Sequence, residues 1–166
     1  MMTFFLQLYK NRQLETSRLI LRPVALADAQ DMYEYASDEE TTRFVFDRHQ
    51  SLAETESLIA QIFLAKPLGS YAIVLKENNK MIGTIDFHHL DEKTASAEIG
   101  YTLNKKYWRR GYMTEACRAL LKVGFEELGL NRICARHDLD NPASGMVMQK
   151  KWSEEKCCGS LCTARS

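Results

Sequence analysis

Apolar and polar positions along this chain follow two periods, and the switches between them mark its elements. Leu19-Ile20-Leu21-Arg22-Pro23 reads as a first strand, closed by Pro23, which lacks the N–H that a ladder requires. Residues 25–37 then place Leu26, Ala29, Met32, Tyr33 and Ala36 at helical spacing. Ser51-Leu52-Ala53-Glu54 is a capping box, followed by Leu58, Ile59, Ile62 and Phe63 on one helical face. Lys66-Pro67-Leu68-Gly69 ends that helix. Three strands come next: Tyr71–Leu75, then Met81–His88 after the turn Glu77-Asn78-Asn79-Lys80, then Ala95–Leu103. In the last of these, Ala97, Ile99, Tyr101 and Leu103 point one way and Ser96, Glu98, Gly100 and Thr102 the other. Met113, Ala116, Cys117, Leu120, Leu121, Phe125 and Leu128 trace one face of a helix that stops at Gly129. Asn131–His137 reads as a further strand. Asn141-Pro142-Ala143-Ser144 opens a final helix, with Pro142 near its first turn, where a missing N–H is harmless.

The order β α α β β β α β α predicts an α+β fold with a mixed sheet, in which the strand–helix–strand unit at 95–137 supplies a parallel crossover. A chain of 166 residues suffices for one domain with its own core. Lys+Arg and Asp+Glu both number 22, which argues against a nucleic-acid partner. No apolar run approaches the ~20 residues that a bilayer span needs, so no membrane association is expected. Residues 1–12 lack a basic leader and a small-residue cleavage site, so a cytoplasmic protein is expected. Cys117 and Cys134 fall on helix and strand patterns as buried thiols, whereas Cys157, Cys158 and Cys162 crowd the last ten residues. The paired spacing of a metal site is absent, and no metal is expected.

Candidate chemistry concentrates at Trp108-Arg109-Arg110-Gly111-Tyr112-Met113-Thr114-Glu115-Ala116. A glycine in a basic turn between strand and helix presents free backbone N–H groups at the helix N-terminus. Such groups bind phosphate oxygens, and the helix dipole favours an anion there. The spacing of a nucleotide-hydrolase loop is missing.

From Leu14 to about Lys150 the chain resembles the GNAT family of N-acetyltransferases, in the branch of the ribosomal-protein acetyltransferases RimJ and RimL. The resemblance rests on Leu19–Pro23, Met81-Ile82-Gly83, Ala97-Glu98-Ile99-Gly100-Tyr101, the glycine turn from Tyr107 to Ala116, and Asn141–Ser144, in family order. It implies a GNAT fold: a mixed, mostly antiparallel sheet with helices on both faces and a splayed parallel strand pair. It also implies transfer of an acetyl group from acetyl-CoA to a primary amine by direct attack in a ternary complex. Carried over, Arg109, Arg110, Gly111, Met113 and Thr114 form a pyrophosphate cradle, Ile99 and Tyr101 line the cofactor strand, and Asn141 contacts acetyl-CoA from the far side. Met113 stands where the family usually has a small residue, so its side chain must turn away from the cofactor.

An amine attacks a thioester only when neutral, and an α-amine titrates near ~8 and a lysine near ~10.4, so a general base helps at pH 7. Glu98 is the candidate base, with a solvated strand glutamate as the alternative. Ser144 is the candidate acid for the CoA thiolate, with plain helix capping as its alternative. His88 and His89 end their strand facing opposite sides, so at most one reaches the cleft, and neither enters the mechanism. An oxyanion-stabilising N–H is expected near Ile99 or Gly100.

The family pattern stops after Met148-Gln149-Lys150, where relatives add two strands. The resulting division is an N-terminal extension (1–13), an acetyltransferase domain (14–150) and an atypical tail (151–166), for which a reading-frame change near residue 150 is the expectation and a divergent tail the alternative. Missing or altered C-terminal strands would expose a sheet edge and invite a homodimer. The RimJ/RimL likeness points to a protein N-terminal α-amine as acceptor. The alternatives are a small-molecule amine acetyltransferase and a catalytically weak acyl-CoA-binding module.

Overall fold

Strands β1 (Leu14–Glu15), β2 (Leu19–Arg22), β3 (Ser70–Leu75), β4 (Met81–Asp91), β5 (Ser96–Leu103) and β6 (Arg132–Ala135) lie side by side in chain order in one sheet. Every neighbouring pair is antiparallel except β5 and β6, which run parallel from Ser96↔Arg132 to Ile99↔Ala135. This computed structural model describes residues 3–135. The expected helix from Asn141, the residues Asn141 and Ser144 themselves, any splaying of β6 from β5 past Ala135, and the tail 151–166 lie outside the described residues. Among the described residues no helix is long and apolar enough to cross a membrane.

Helices cover both faces, and the pleat decides which residues they meet. On one face Leu19, Leu21, Ile73, Ile85, Ala97 and Ile99 pack against Ala116, Cys117, Leu120 and Leu121 of helix α5 (Tyr112–Lys122). On the other, Ala72, Val74 and Met81 meet Met32, Tyr35 and Ala36 of α2 (Ala29–Ala36) and Ile59 after α4 (Leu52–Leu58). A fully buried aliphatic side chain contributes roughly 1.5–3 kcal/mol, so both layers matter to stability. Between α2 and α4 lies the short α3 (Glu39–Thr42), capped by the Asp38 carboxylate on the Thr41 N–H at 2.8 Å.

Several elements differ from the sequence expectation for physical reasons. Helix α1 (Phe4–Lys10) has no counterpart in it; Leu8 is buried in the α5-side core, and the Tyr71 hydroxyl donates to Asn11 O at 2.9 Å. The 25–37 helix starts later, because the Arg22 guanidinium and the Ala25 N–H hold Asp28 in a 3-10 turn before Ala29. The capping box is half formed: Ser51 Oγ accepts from the Glu54 N–H, while Glu54 reaches past Ser51 to the Gln50 N–H at 2.6 Å. After Leu58 the helix widens into π-helical turns over Ile59–Leu64. The wider turn rotates the expected stripe, leaving Ile59 buried, Phe63 packed at the edge and Ile62 exposed. Likewise α5 passes into π-helical turns at Val123–Glu127 before Gly129, whose φ of 65° ends the helix as expected. Cys117 is buried, but Cys134 is only half-buried, because it lies on the face of β6 opposite Ile133 and Ala135.

Glu34 of α2 joins this layer to both ends of the β4–β5 hairpin. It accepts from Lys80 Nζ at 2.8 Å, Lys106 Nζ at 2.9 Å and Asn104 Nδ2 at 3.1 Å. The Lys80 and Lys106 hydrogen bonds draw its carboxyl down from 4.5 to about 2, against a smaller opposing effect of burial. A depressed carboxyl stabilises the folded state above its unfolded value, and that stability is lost as pH falls through 4.5 towards 2. Glu34→Gln is therefore expected to lower the unfolding free energy at pH 7, read from urea denaturation, by on the order of 1 kcal/mol, solvent screening included. The difference from the parent protein should close by pH 2–3; an equal difference at both pH values would rule this assignment out.

Candidate active site

The turn between β5 and α5 is assembled from both ends. Buried Asn104 donates its N–H to Ile82 O at 2.8 Å and accepts from the Lys106 N–H at 3.1 Å, setting a 3-10 turn over Lys105–Tyr107. Trp108 Nε1 then donates to Leu103 O at 2.7 Å, folding the turn back over the end of β5. Arg109 and Gly111 both have left-handed backbone, at φ 61° and 78°. At 111 this conformation is the cap that starts α5, and glycine adopts it without the steric cost of a Cβ. The first recurrent helical bond on this cap runs from the Glu115 N–H to Gly111 O at 3.0 Å, so the first-turn amides before it point out of the helix end.

This turn is fastened to the β1–β2 connection. Glu115 accepts from Thr16 Oγ1, Ser17 Oγ at 3.1 Å and the Arg18 N–H at 2.9 Å on one oxygen, and from Arg18 Nε at 2.7 Å on the other. Arg18 also donates from Nη1 to Arg110 O at 2.9 Å, and its guanidinium lies 4.3 Å from the Tyr112 ring centroid. Burial works against ionisation of Glu115, but the Thr16 and Arg18 hydrogen bonds outweigh it and hold the carboxyl below its ordinary value.

The expected cradle residues come together at this helix start. Arg109 and Arg110 are exposed, with the Arg110 guanidinium 5.6 Å from the Tyr107 ring centroid. Met113 is 4% exposed, its side chain in the core as expected, and Thr114 is half-buried on the first turn. Ile99 is buried against the α5 layer and paired with Phe87 of β4 and Ala135 of β6, and Tyr101 is half-buried on the same strand. The basic cluster, however, divides. Lys105 pairs with Asp38 at 2.7 Å and Glu40 at 3.3 Å, and Lys106 with Glu34, drawing both lysines towards α2 and α3.

Glu98 is half-buried on the opposite face of β5, with His88 of β4 as its cross-strand partner. Asp86 pairs with Gly100 in the same register, and His88 Nδ1 lies 3.1 Å from Asp86 Oδ2. The expected separation of His88 and His89 does not hold. A bulge between His88 and Asp91 puts His89 at φ 46°, and the two rings sit 6.3 Å apart. The sequence reading passed over Arg18, Glu115 and Asp86. An Asp-x-His pair on a strand shares one face, and that spacing was the available signal.

A family profile described as an Acetyltransferase (GNAT) domain matches residues 18–151. The chain is 36% identical over 141 residues to the uncharacterized N-acetyltransferase YoaA of Bacillus subtilis (strain 168), covering 82% of this chain and 80% of that protein. A shorter match, 31% identical over 75 residues, joins 45% of this chain to 41% of the ribosomal-protein-serine acetyltransferase of Escherichia coli (strain K12). Among solved structures, the GNAT-family acetyltransferase from Bacillus anthracis superposes with a TM-score of 0.74 at 29% identity, covering 83% of this chain and 81% of that one.

Glu115→Ala removes the common acceptor of Thr16, Ser17 and Arg18. It is expected to cost about 1–3 kcal/mol of stability, because these donors lose a partly buried partner. Equilibrium urea unfolding at pH 7 measures it, and a loss below about 0.5 kcal/mol would show that the turn holds without this carboxylate.

Proposed function

The chain belongs to the GNAT acetyltransferase family, and on that premise we propose that it acetylates a protein N-terminal α-amine by direct attack on acetyl-CoA. The observation that carries this reading is the left-handed Gly111 at the start of α5, beside the end of β5, with the exposed Arg109 and Arg110 next to it. The site fits a diphosphate. First-turn amides point outward, the helix dipole favours an anion, and the two arginines add positive charge. A Cβ at 111 would make ordinary contact with Arg18 Nη2 at 3.4 Å, so it is the left-handed backbone that favours glycine there. Arg109, Arg110, Gly111 and the amides of Met113 and Thr114 hold the pyrophosphate, and the backbone of Ile99 and Tyr101 lines the thioester arm. Asn141 and Ser144 keep their assigned roles as far-side contact and proton donor to the leaving thiolate. Acetyl-CoA supplies the activated acyl group.

Glu98 acts as the general base. The acceptor arrives largely as an ammonium, and a carboxylate facing the open side of β5 takes its proton, directly or through one water, before the nitrogen attacks. The name of the partly matching Escherichia coli relative supports a protein acceptor for this branch.

The test is release of CoA thiol from acetyl-CoA with a serine-initiated hexapeptide, the same peptide with a blocked α-amine and a lysine, and spermidine. Turnover confined to the free α-amine is expected; faster turnover of spermidine would replace the acceptor class. Glu98→Gln should lower kcat on the order of 10²-fold with KM for acetyl-CoA within about twofold. Gly111→Ala should raise that KM by about tenfold, the equivalent of the ~1–2 kcal/mol strain of a left-handed alanine. A normal rate in Glu98→Gln at every pH would remove the base.

A further inference from the structure

The helical layer of α2 and α4 covers Ala72, Val74 and Met81, and the half of that face formed by β4–β6 carries polar groups instead. Asp86 and His88 of β4 alternate with core-facing Ile85 and Phe87, and Glu98 of β5 alternates with core-facing Ala97 and Ile99. Arg132 and Cys134 of β6 lie on the same side, opposite Ile133 and Ala135, and the Arg132 Nε–H donates to Cys134 Sγ at 3.0 Å. His89 stands at the bulge beside His88.

Within this face the imidazole of His88 is built into place. It lies opposite Glu98, yet it leans along the sheet to bring Nδ1 within 3.1 Å of Asp86 Oδ2. The ring can take that path only because residue 100 is glycine: a Cβ there would run into His88 Nε2 and Cδ2. Asp86 is mostly enclosed, with 19% of its side chain exposed, whereas His88 is 55% exposed. With Nδ1–H donating to Asp86, the lone pair sits on Nε2, and the carboxylate is placed to stabilise the imidazolium once Nε2 is protonated.

We propose that His88, oriented by Asp86 across Gly100, receives the acceptor amine's proton from Glu98 and passes it to solvent. The inference rests on Glu98 being the base. The ammonium N–H bond breaks as the proton moves to the Glu98 carboxylate. That proton then moves, through water, to the Nε2 lone pair, giving an imidazolium paired with Asp86. Loss of the proton from the partly exposed imidazole to water restores both groups. The neutral amine nitrogen then bonds to the acyl carbon, the C–S bond breaks, and the nitrogen's second proton ends on the departing sulfur, so each turnover yields one amide, one CoA thiol and one released proton. Burial holds the Asp86 carboxyl above the ordinary aspartate range while the His88 charge draws it down, as expected for a carboxylate whose main counter-charge is this imidazole. His88 is on this account a positioning and relay residue, as is Asp86.

The experiment compares parent protein, His88→Ala, Asp86→Asn, Gly100→Ala and Glu98→Gln, using acetyl-CoA with the serine-initiated hexapeptide or spermidine, whichever the parent turns over faster. Rates are taken from pH 5.5 to 9.5. His88→Ala is expected to lower kcat on the order of 10-fold, with KM for acetyl-CoA within about twofold and partial rescue by added imidazole, which a packing role would not give. Asp86→Asn should lower kcat by less than His88→Ala does, because the amide oxygen can still orient the ring but carries no counter-charge for the imidazolium. Gly100→Ala should reproduce the His88→Ala loss, with no further loss in the double variant. A His88→Ala rate within twofold of the parent across the range, or a loss that imidazole does not restore, overturns the relay while Glu98→Gln inactivity keeps the base. A normal Glu98→Gln overturns the base and the relay together, and a parent with no turnover on either amine overturns the acetyltransferase reading itself.

Discussion

One carboxylate holds the β5–α5 turn to the rest of the molecule. Glu115 lies in the first turn of α5, where a negative charge would by itself offset the positive helix end and repel a second anion. That conflict is resolved sideways: Thr16, Ser17 and Arg18 take both of its oxygens, and the Arg18 guanidinium neutralises it. Arg18 continues to the carbonyl of Arg110 and the face of Tyr112. The helix end is thereby left to its outward amides, and the glycine cap is fastened by the β1–β2 connection, about a hundred residues earlier in the chain. Such an ion pair adds little net stability once desolvation is counted, but removing one partner is costly. Its value is in placing the turn.

Much of this arrangement was legible in the sequence because it is periodic. The alternation of Ala97, Ile99, Tyr101 and Leu103 against Ser96, Glu98, Gly100 and Thr102 predicts which side of β5 packs on α5; burial follows it through Ile99, after which Thr102 is buried and Tyr101 and Leu103 pack at the core's edge half-buried. Gly111 and Gly129 were legible as helix boundaries because a left-handed position leaves few other choices. Departures occur where long-range contacts outweigh local pattern. The Arg22–Asp28 pair shortens the start of α2, π-helical turns rotate the stripe after Leu58, and α1 gains its place from Leu8 entering a core that the local sequence does not contain. The division of the basic cluster is of the same kind. Lys105 and Lys106 look continuous with Arg109 and Arg110 in the chain, but Asp38, Glu40 and Glu34 lie on other elements.

The His88–Asp86 contact could not be read in the same way, although its parts were visible. Spacing puts the two residues on one face of β4, but only the register with β5 brings Gly100 beneath the ring. Gly100 within Ala97–Tyr101 reads equally as a strand irregularity or a ligand approach. The structure adds a third use: room for a neighbouring strand's imidazole.

β5 thus separates two kinds of chemistry by its pleat. Its odd residues are committed to the core and to α5, so they fix where the proposed pyrophosphate cradle stands relative to the sheet. Its even residues face away from that core, Glu98 and Gly100 next to His88 and Asp86, and they are constrained differently: a side chain at Gly100 would meet the His88 ring, and Thr102 is buried. A substitution at an odd position changes packing and every element hung on it, whereas one at Glu98 would, on the proposed mechanism, change proton handling. On that proposal the strand keeps the proton-handling carboxylate apart from the donor-binding scaffold, because Glu98 is not among the residues that pack against α5.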